Sequence, residues 1–264
     1  MIPATAMPFN TGLVFHYDCG EFEKTMDLAL EQANWAGRSA RAATAATRGR
    51  LHGIGIAYAV ECASGPQDTP AKESAELYFD ATGQATLLLG THNHGQGHET
   101  AFRQLANSFL GLNPQQIDIR FGDTAEIKEG VGTFGSRSLG TGGAAFQQAA
   151  NNIIEAARPF AGDILEVASD DVEFSGGHFL VCGTDYKVSL PEVAMKAAEI
   201  GNGELRAYAM TAPTNCTFPN GCHICEVEID PETGELWLTR YTVADDVGRV
   251  INPLLLSGQI HGGI

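Results

Sequence analysis

Positive charge is scarce in this sequence. The 264 residues include 16 Lys and Arg against 32 Asp and Glu, which gives a formal net charge of −16. So acidic a chain repels phosphate backbones and anionic lipid, and we therefore exclude nucleic acid and acidic membrane surfaces as partners. Any phosphate group that the chain binds must be held by local backbone amides, because long-range attraction is missing.

Long apolar runs are missing as well. The longest ones are far shorter than the roughly 20 residues that a membrane helix needs, so we predict no membrane insertion. Residues 1–8 lack the basic flank and apolar segment of a signal peptide, and we predict a cytoplasmic protein. With 44% hydrophobic residues the chain can nevertheless fill the core of one large domain or two ordinary ones.

Cysteine is too sparse and too scattered to indicate a disulfide framework. The six cysteines are spread through a chain that is large enough to fold without covalent links, so we expect thiols. The segment Cys222-His223-Ile224-Cys225 has the spacing of a metal motif. It lies in a strand-like run, however, where side chains three residues apart face opposite sides of a sheet. We therefore predict no metal ligands there.

The order of apolar patterns predicts an α+β fold, with mixed or antiparallel sheets and flanking helices. Helices are expected over 21–34 and 190–200, and one helix is expected after each of three Gly-rich turns. The helix after the second Gly-rich turn should end near residue 160, and a short helix over 162–168 should follow it. We place 53–61 in a central strand because its glycines suggest a close backbone neighbour, and 64–72 in a surface loop. The first helix is expected to bury Phe22, Met26, Leu28, Ala29 and Ala33. The other predicted strands are 74–79, 85–89, 116–121, the hairpin 172–182, 205–210, and the pair 222–229 and 236–243.

The same patterns divide the chain into three consecutive parts. Residues 1–50 form an N-terminal extended segment and helix with little visible chemistry. Residues 51–160 contain the first two Gly-rich turns, and residues 161–264 form a second α+β part. The chain stops while its last predicted helix is unfinished, so we expect that this part is truncated at its C-terminus.

The first Gly-rich turn, residues 90–100, lies between a predicted strand and a predicted helix. Its sequence is Gly90-Thr91-His92-Asn93-His94-Gly95-Gln96-Gly97-His98-Glu99-Thr100. Glycine lets backbone N–H groups point outward, and the start of a helix carries unpaired N–H groups and partial positive charge, so the turn is suited to a phosphate. Such a turn is more often only a turn. His92, His94 and His98 also leave a zinc site open as an alternative.

Two further stretches repeat this arrangement downstream. Residues 130–143 contain glycines, hydroxyl side chains and Arg137, which is suited to a bidentate contact with an oxyanion. A flexible linker is the alternative for this stretch. The third stretch begins at Asp245 and ends in Asn252 as helix cap and Pro253 at the first helical position, and Gln259 follows about two turns into the helix.

The sequences of the three turns resemble motifs of one protein family. Gly95-Gln96-Gly97-His98-Glu99-Thr100, Gly132-Thr133-Phe134-Gly135-Ser136-Arg137-Ser138 and the segment from Asp245 through Asn252 to Gly263 occur in the order seen in the molybdopterin-binding large subunits of the xanthine dehydrogenase/aldehyde oxidase family. The likeness is greatest to the carbon monoxide dehydrogenase-type large chain.

The resemblance implies a cofactor and contacts to it. The cofactor is a molybdenum pterin, usually the cytosine dinucleotide in bacterial members. Gln96 and Gly97, after Gly95, would contact the pterin near the metal, and Asn252 and Gln259 would bond the nucleotide or the pterin edge. The pyrophosphate would lie at His98, Glu99 and Thr100, and the second side would be lined by Gly135, Ser136 and Arg137. Glu99 would repel a phosphate, so we expect that its carboxylate points away or bonds backbone N–H groups.

The departures from the family limit what this chain can do alone. Family members carry a Gly-Val-Gly-Glu motif whose glutamate acts as the base, and these residues contain no counterpart. We therefore predict no catalytic residue and no side-chain metal ligand here. We expect the isolated chain to be inactive on substrate and to lack the cofactor. In the complete enzyme the family passes electrons to FAD-binding and [2Fe-2S] subunits. An exposed apolar face would also favour a homodimer. The competing hypothesis is a catalytically silent scaffold that binds a nucleotide or nothing.

Overall fold

The computed structural model describes residues 1–64, 72–200, 204–213 and 215–264. The loop predicted over 64–72 therefore lies almost entirely outside the described residues. The helices are α1 Phe22–Gln32, α2 Arg38–Thr47, α3 His98–Leu110, α4 Ala144–Leu165, α5 Leu190–Glu199 and α6 Pro253–Gly263. The strands are β1 Phe9–Asn10, β2 His16–Tyr17, β3 Leu51–Val60, β4 Glu73–Phe79, β5 Ala85–Leu89, β6 Ile117–Phe121, β7 Val172–Ser175, β8 His178–Val181, β9 Lys187–Ser189, β10 Leu205–Thr211, β11 Asn220–Ile229 and β12 Leu236–Asp246.

These elements form two compact units, each built from two stretches of chain. The first unit comprises Met1–Ala63 and Cys216–Arg249, and the second comprises Ser64–Asn215 and Val250–Ile264. The mixture of helices with antiparallel and mixed sheets confirms the α+β prediction. The three consecutive parts proposed from the sequence stay a prediction about domains, because the two units are defined by contacts alone.

The first unit is a three-stranded antiparallel sheet in the order β12-β11-β3, covered on one face by helices. Helix α1 packs on β11 and β12, and α2 packs on β3. The alternation of β11 sends Cys222 into this core and Cys225 to the opposite face, as the strand pattern predicted. The core is made of Ala29, Ala33, Cys222, Ile224 and Ala244.

Two expectations for this unit are wrong. Among the strands that the structure describes, β3 pairs with β11 alone, so it is an edge strand and not a central one. Its glycines do not mark a close neighbour, since a Cβ built on Gly55 would contact no described atom within 4 Å. Leu28 is 49% exposed, because it projects away from the sheet side of α1 that buries Phe22 and Ala29.

The uncovered face of this sheet is apolar. Leu51, Leu236 and Leu238 lie opposite the core face and are 59%, 58% and 53% exposed. Exposed apolar area of this kind favours association. The homodimer stays a prediction.

The second unit holds the larger core and a four-stranded sheet in the order β10-β4-β5-β6. Asp80 closes the predicted hairpin between β4 and β5, since its Oδ1 accepts from the backbone N of Thr82 and Gln84 at 2.8 and 3.1 Å. Strands β5 and β6 are parallel, with α3 as the crossover between them. A second, small antiparallel sheet follows in the order β7-β8-β9.

Helix α4 crosses this unit and packs on β4, β10 and α5. The sequence predicted a break near Phe160, but Pro159 lies inside one helix of 22 residues. Proline removes one backbone hydrogen bond. Here the buried stripe continues past it through Ala157, Ala161 and Gly162, and this burial holds the helix together.

Candidate functional site

The first Gly-rich turn connects the buried strand β5 to α3. Gly95 and Gly97 have φ of 103° and 81°, values that side chains rarely adopt and glycine adopts freely. The turn is closed by its own side chains: Asn93 Oδ1 accepts from Gly95 N at 3.0 Å, and Gln96 Oε1 accepts from His94 N. The oxygen of Gln96 is therefore used inside the turn, and its amide nitrogen is the part of the side chain that a ligand could engage.

The next three residues open α3. His98 is 8% exposed and packs edge-on to Phe102, and burial lowers the pKa of its imidazole. Its Nδ1 has no hydrogen-bond partner among the described residues. Glu99 Oε2 accepts from Asn93 Nδ2 at 2.5 Å, so the carboxylate is held within the turn. Its partner is a side-chain amide and not the backbone N–H groups that were one of the two alternatives expected. Thr100 is exposed at the helix start.

The second Gly-rich segment, residues 130–138, lies directly against the first turn. A Cβ built on Gly130 would fall 2.6 Å from Gly90 Cα, so the two backbones meet where neither has a side chain. Three hydroxyls join the segments as well: Thr91 Oγ1 lies 2.7 Å from both Thr133 Oγ1 and Ser138 Oγ. The prediction of a flexible linker is therefore wrong, because this segment is bonded into the core of the unit.

Arg137 is fully buried within this second segment. Its Nη1 donates to Glu73 Oε2 at 2.5 Å and to the Gly132 carbonyl at 2.9 Å, and its Nη2 donates to the Lys72 carbonyl at 2.8 Å. The guanidinium thus bonds three groups of the protein. Its predicted contact with a ligand oxyanion stays a prediction.

The backbone of the segment is open where its glycines adopt left-handed conformations. Gly132 and Gly135 have φ of 93° and 54°, and a Cβ built on either would meet no described atom within 4 Å, as is true of Gly95. Ser136 has φ of 51°, which is uncommon outside glycine. These positions leave peptide groups accessible to a ligand.

A short π-helix, Ser138–Gly143, then leads into α4. Thr141 within it is 1% exposed, and its Oγ1 lacks a hydrogen-bond partner in the part of the chain that the structure describes. Buried polar atoms are normally paired, so this hydroxyl retains unused hydrogen-bonding capacity.

A pocket of about 600 Å³ lies beside the two segments, at the carboxyl ends of the parallel strands β5 and β6. This edge is the usual ligand position in sheets with parallel strands, and the volume falls within the range of small-molecule sites. Its lining includes Gly90, His92, Gly122, Asp123, Lys128 and Gly132.

The third segment brings α6 onto the first turn. Asn252 caps α6 as predicted, with its Oδ1 accepting from Leu255 N at 2.9 Å, and its Nδ2 donates to Gln104 Oε1 on α3 at 2.9 Å. A Cβ on Gly97 would lie 2.5 Å from Leu255 Cδ2, so α6 sits where only glycine leaves room. Gln259 is exposed on α6.

Residues 90–100, 130–138 and 250–259 are therefore connected within the second unit. The first segment touches the second through Thr91 and Thr133, and the third through Gly97 and Leu255. The start of the third motif, Asp245 to Arg249, belongs to the first unit, where β12 extends through Asp246. Asp245 and Asp246 therefore lie in β12.

The zinc alternative finds no ligand set here. His92 and His94 stack edge-on with ring centroids 4.7 Å apart, while His98 is turned into the packing of α3. Across the described residues, no three His, Cys, Asp or Glu side chains are arranged to hold a metal ion. The described helices likewise include none that is long and apolar enough to cross a membrane.

Comparison with known proteins identifies the family. The family model of the molybdopterin cofactor-binding domain matches residues 28–264. The chain belongs to this family. Similar proteins include the carbon monoxide dehydrogenase large chain of Hydrogenophaga pseudoflava, 34% identical over 97% of this chain and 34% of that protein. The gamma subunit of the 6-hydroxypseudooxynicotine dehydrogenase complex of Paenarthrobacter nicotinovorans is 34% identical over 99% of this chain and 34% of that protein.

Solved structures agree with this assignment. The Cu,Mo-CO dehydrogenase in its carbon monoxide reduced state superposes with a TM-score of 0.86 at 32% identity, over 99% of this chain and 35% of that one. This chain thus has the fold of the matching part of that oxidoreductase. It spans about a third of the length of the relatives that it matches.

Sequence reasoning missed Glu73 and the hydrogen bonds that join the hydroxyls of Thr91, Thr133 and Ser138. One signal for Glu73 was available, since a carboxylate that opens a strand with fully buried neighbours requires a partner. The hydroxyls carry no comparable signal, because serine and threonine are common in any Gly-rich loop.

Proposed function

We propose that this chain binds a molybdenum pterin, in its cytosine dinucleotide form, on the surface formed by the three Gly-rich segments of the second unit. The observation that carries the proposal is the direct contact of segments distant in sequence, through Thr91 with Thr133 and Gly97 with Leu255. Family membership supports the pterin, and the dinucleotide form is what the resemblance to the bacterial members implies.

The residues present fit a phosphorylated organic group. Peptide groups beside Gly132 and Gly135 offer N–H donors where no described atom crowds them, and the N-terminus of α3 adds partial positive charge. The buried Nδ1 of His98 and Oγ1 of Thr141 are polar atoms that still need partners.

Each segment then has its own role. Gln96 and Gly97 would lie against the pterin, and His98, Glu99 and Thr100 would border the pyrophosphate. Gly135 and Ser136 would line the second side, with Arg137 behind them. Asn252 and Gln259 would face the edge of the nucleotide or pterin, although the amide of Asn252 is already engaged by Gln104 and the helix cap.

We propose further that the chain serves a molybdenum hydroxylase that oxidises a small carbon substrate such as carbon monoxide, an aldehyde or a heteroaromatic ring. The bound molybdenum group would supply oxygen transfer from water, with electrons passed to [2Fe-2S] and FAD partners. The base for that reaction lies outside these residues, so this chain alone is expected to show no turnover and to retain the group weakly. Loss of general-base catalysis typically costs about 10²–10⁴-fold in rate.

Cofactor retention tests the proposal. The chain is purified from a host that makes the molybdenum pterin, and molybdenum and pterin are measured per chain. Binding predicts that both copurify at a constant ratio and fall in the Gln96→Ala variant. Gln147→Ala, an exposed glutamine of α4, is the matched control and should change neither. If the chain is a silent scaffold, wild type, Gln96→Ala and Gln147→Ala should all contain the same amount of molybdenum and pterin per chain, or none.

A further inference from the structure

Glu73 opens strand β4, outside all three Gly-rich segments, and its carboxylate touches two of them. Oε2 accepts from Arg137 at 2.5 Å, and Oε1 accepts from Val131 N at 3.4 Å. A Cβ built on Gly90 would lie 2.0 Å from the same Oε1, so the carboxylate rests against the backbone of the first turn. Glu73 is 1% exposed.

We propose that Glu73 is a positioning residue that fixes the second Gly-rich segment against the first turn. Its geometry is independent of any ligand. The consequence for ligand retention rests on the proposed function, because that function requires the two segments to remain in contact.

The charge of Arg137 explains why a carboxylate is needed at this place. A guanidinium this deeply buried is costly unless it is paired and its N–H groups are bonded. Glu73 neutralises the charge, and the carbonyls of Lys72 and Gly132 take further donors. The segment around Arg137 therefore presents peptide groups and hydroxyls to its surroundings, and not a cation.

Glu76 provides a matched control on the same strand. It is 4% exposed and also paired, since Oε1 accepts from Arg206 Nη1 at 2.6 Å and from the exposed Lys128 Nζ at 3.5 Å. Arg206 is a half-exposed side chain of β10, however, and it touches neither Gly-rich segment in the contacts that the structure describes. Replacing either glutamate by glutamine removes one buried charge from β4. Of the two, only Glu73 accepts hydrogen bonds from residues 130–138, through Val131 and Arg137, whereas Glu76 reaches no further than the exposed Lys128.

Hydrogen–deuterium exchange of the chain without added ligand tests the positioning directly. Glu73→Gln should speed exchange of amides in residues 130–138 on the order of 100-fold relative to wild type, because a buried cation loses its partner. Glu76→Gln should leave that segment within about threefold of wild type. The double variant Glu73→Gln, Arg137→Gln buries no charge there and should recover most of the protection. Equal exchange in the two single variants would overturn the proposal.

Retention of copurified molybdenum and pterin gives the second readout. Leu77→Ala, a fully buried core change on the same strand, serves as the stability control. For the same decrease in melting temperature, Glu73→Gln should lose several times more bound pterin than Leu77→Ala. If pterin loss follows the decrease in melting temperature equally in both variants, Glu73 only stabilises the fold. Wild-type protein that holds no pterin would refute the proposed function, and the exchange measurement would still decide the role of Glu73.

Discussion

Replacement of Gly97 by alanine should destabilise the fold for two reasons, one conformational and one steric. The first is conformational, since φ of 81° places a side chain in the left-handed region at about 1–2 kcal/mol. The second is steric, because the new Cβ would lie 2.5 Å from Leu255 Cδ2. Overpacking of this kind costs about 1–3 kcal/mol when neighbours must shift. Gly97→Ala should therefore lower the free energy of unfolding by about 2–5 kcal/mol.

Gly95 is the matched control for the conformational cost. It also has a positive φ, 103°, but a Cβ there would meet no described atom within 4 Å. Gly95→Ala should lose only the conformational part, about 1–2 kcal/mol. Shortening the neighbour by Leu255→Ala in the Gly97→Ala background should recover the steric part. Urea unfolding of wild type, Gly97→Ala, Leu255→Ala and the double variant measures this recovery as a coupling free energy. Equal losses at both glycines, with no coupling to Leu255, would refute the packing of α6 on the first turn.

Three other changes probe charge and capping. Glu226→Gln should destabilise the first unit by about 2 kcal/mol at pH 7, because Glu226 accepts from Arg41 Nε at 2.6 Å. Burial alone would raise the pKa of Glu226, but the hydrogen bonds from Arg41 and His52 hold it below the ordinary 4.5. The difference in free energy of unfolding between wild type and Glu226→Gln should therefore shrink in urea titrations as the pH falls below that value. Burial lowers the pKa of His98, so protonation favours the unfolded chain; thermal stability should fall as the pH drops below about 6.5, and His98→Gln should flatten that fall. Asn252→Ala removes the cap of α6 and should cost about 1 kcal/mol in urea unfolding, more than Gln104→Ala, which removes only the bond between α6 and α3.

Local patterns predicted the elements around the site well. The start of α6 follows from Asn252 and Pro253 alone, and the hairpin between β4 and β5 follows from the Asp80 turn, because these signals act within a few residues. Helix α3 was predicted in the same way, from the spacing of the apolar residues that it buries.

Long-range pairing could not be predicted. Whether β3 is central or at an edge depends on β11, which comes far later in the chain. The partner of Arg137 is Glu73, 64 residues away, and no local pattern connects them. An arginine in a Gly-rich loop is equally suited to a ligand or to a buried carboxylate, and only the folded chain distinguishes the two.

The buried pair of Glu73 and Arg137 has a consequence for how binding should respond to salt. Sites that hold phosphates with exposed lysine or arginine lose affinity as ionic strength rises, since ions screen the attraction. Here the only guanidinium described in the three segments of the second unit is already neutralised, and the chain as a whole carries −16. Added salt should therefore leave retention of the proposed anionic ligand unchanged and should speed its capture, by screening the repulsion between two negative bodies.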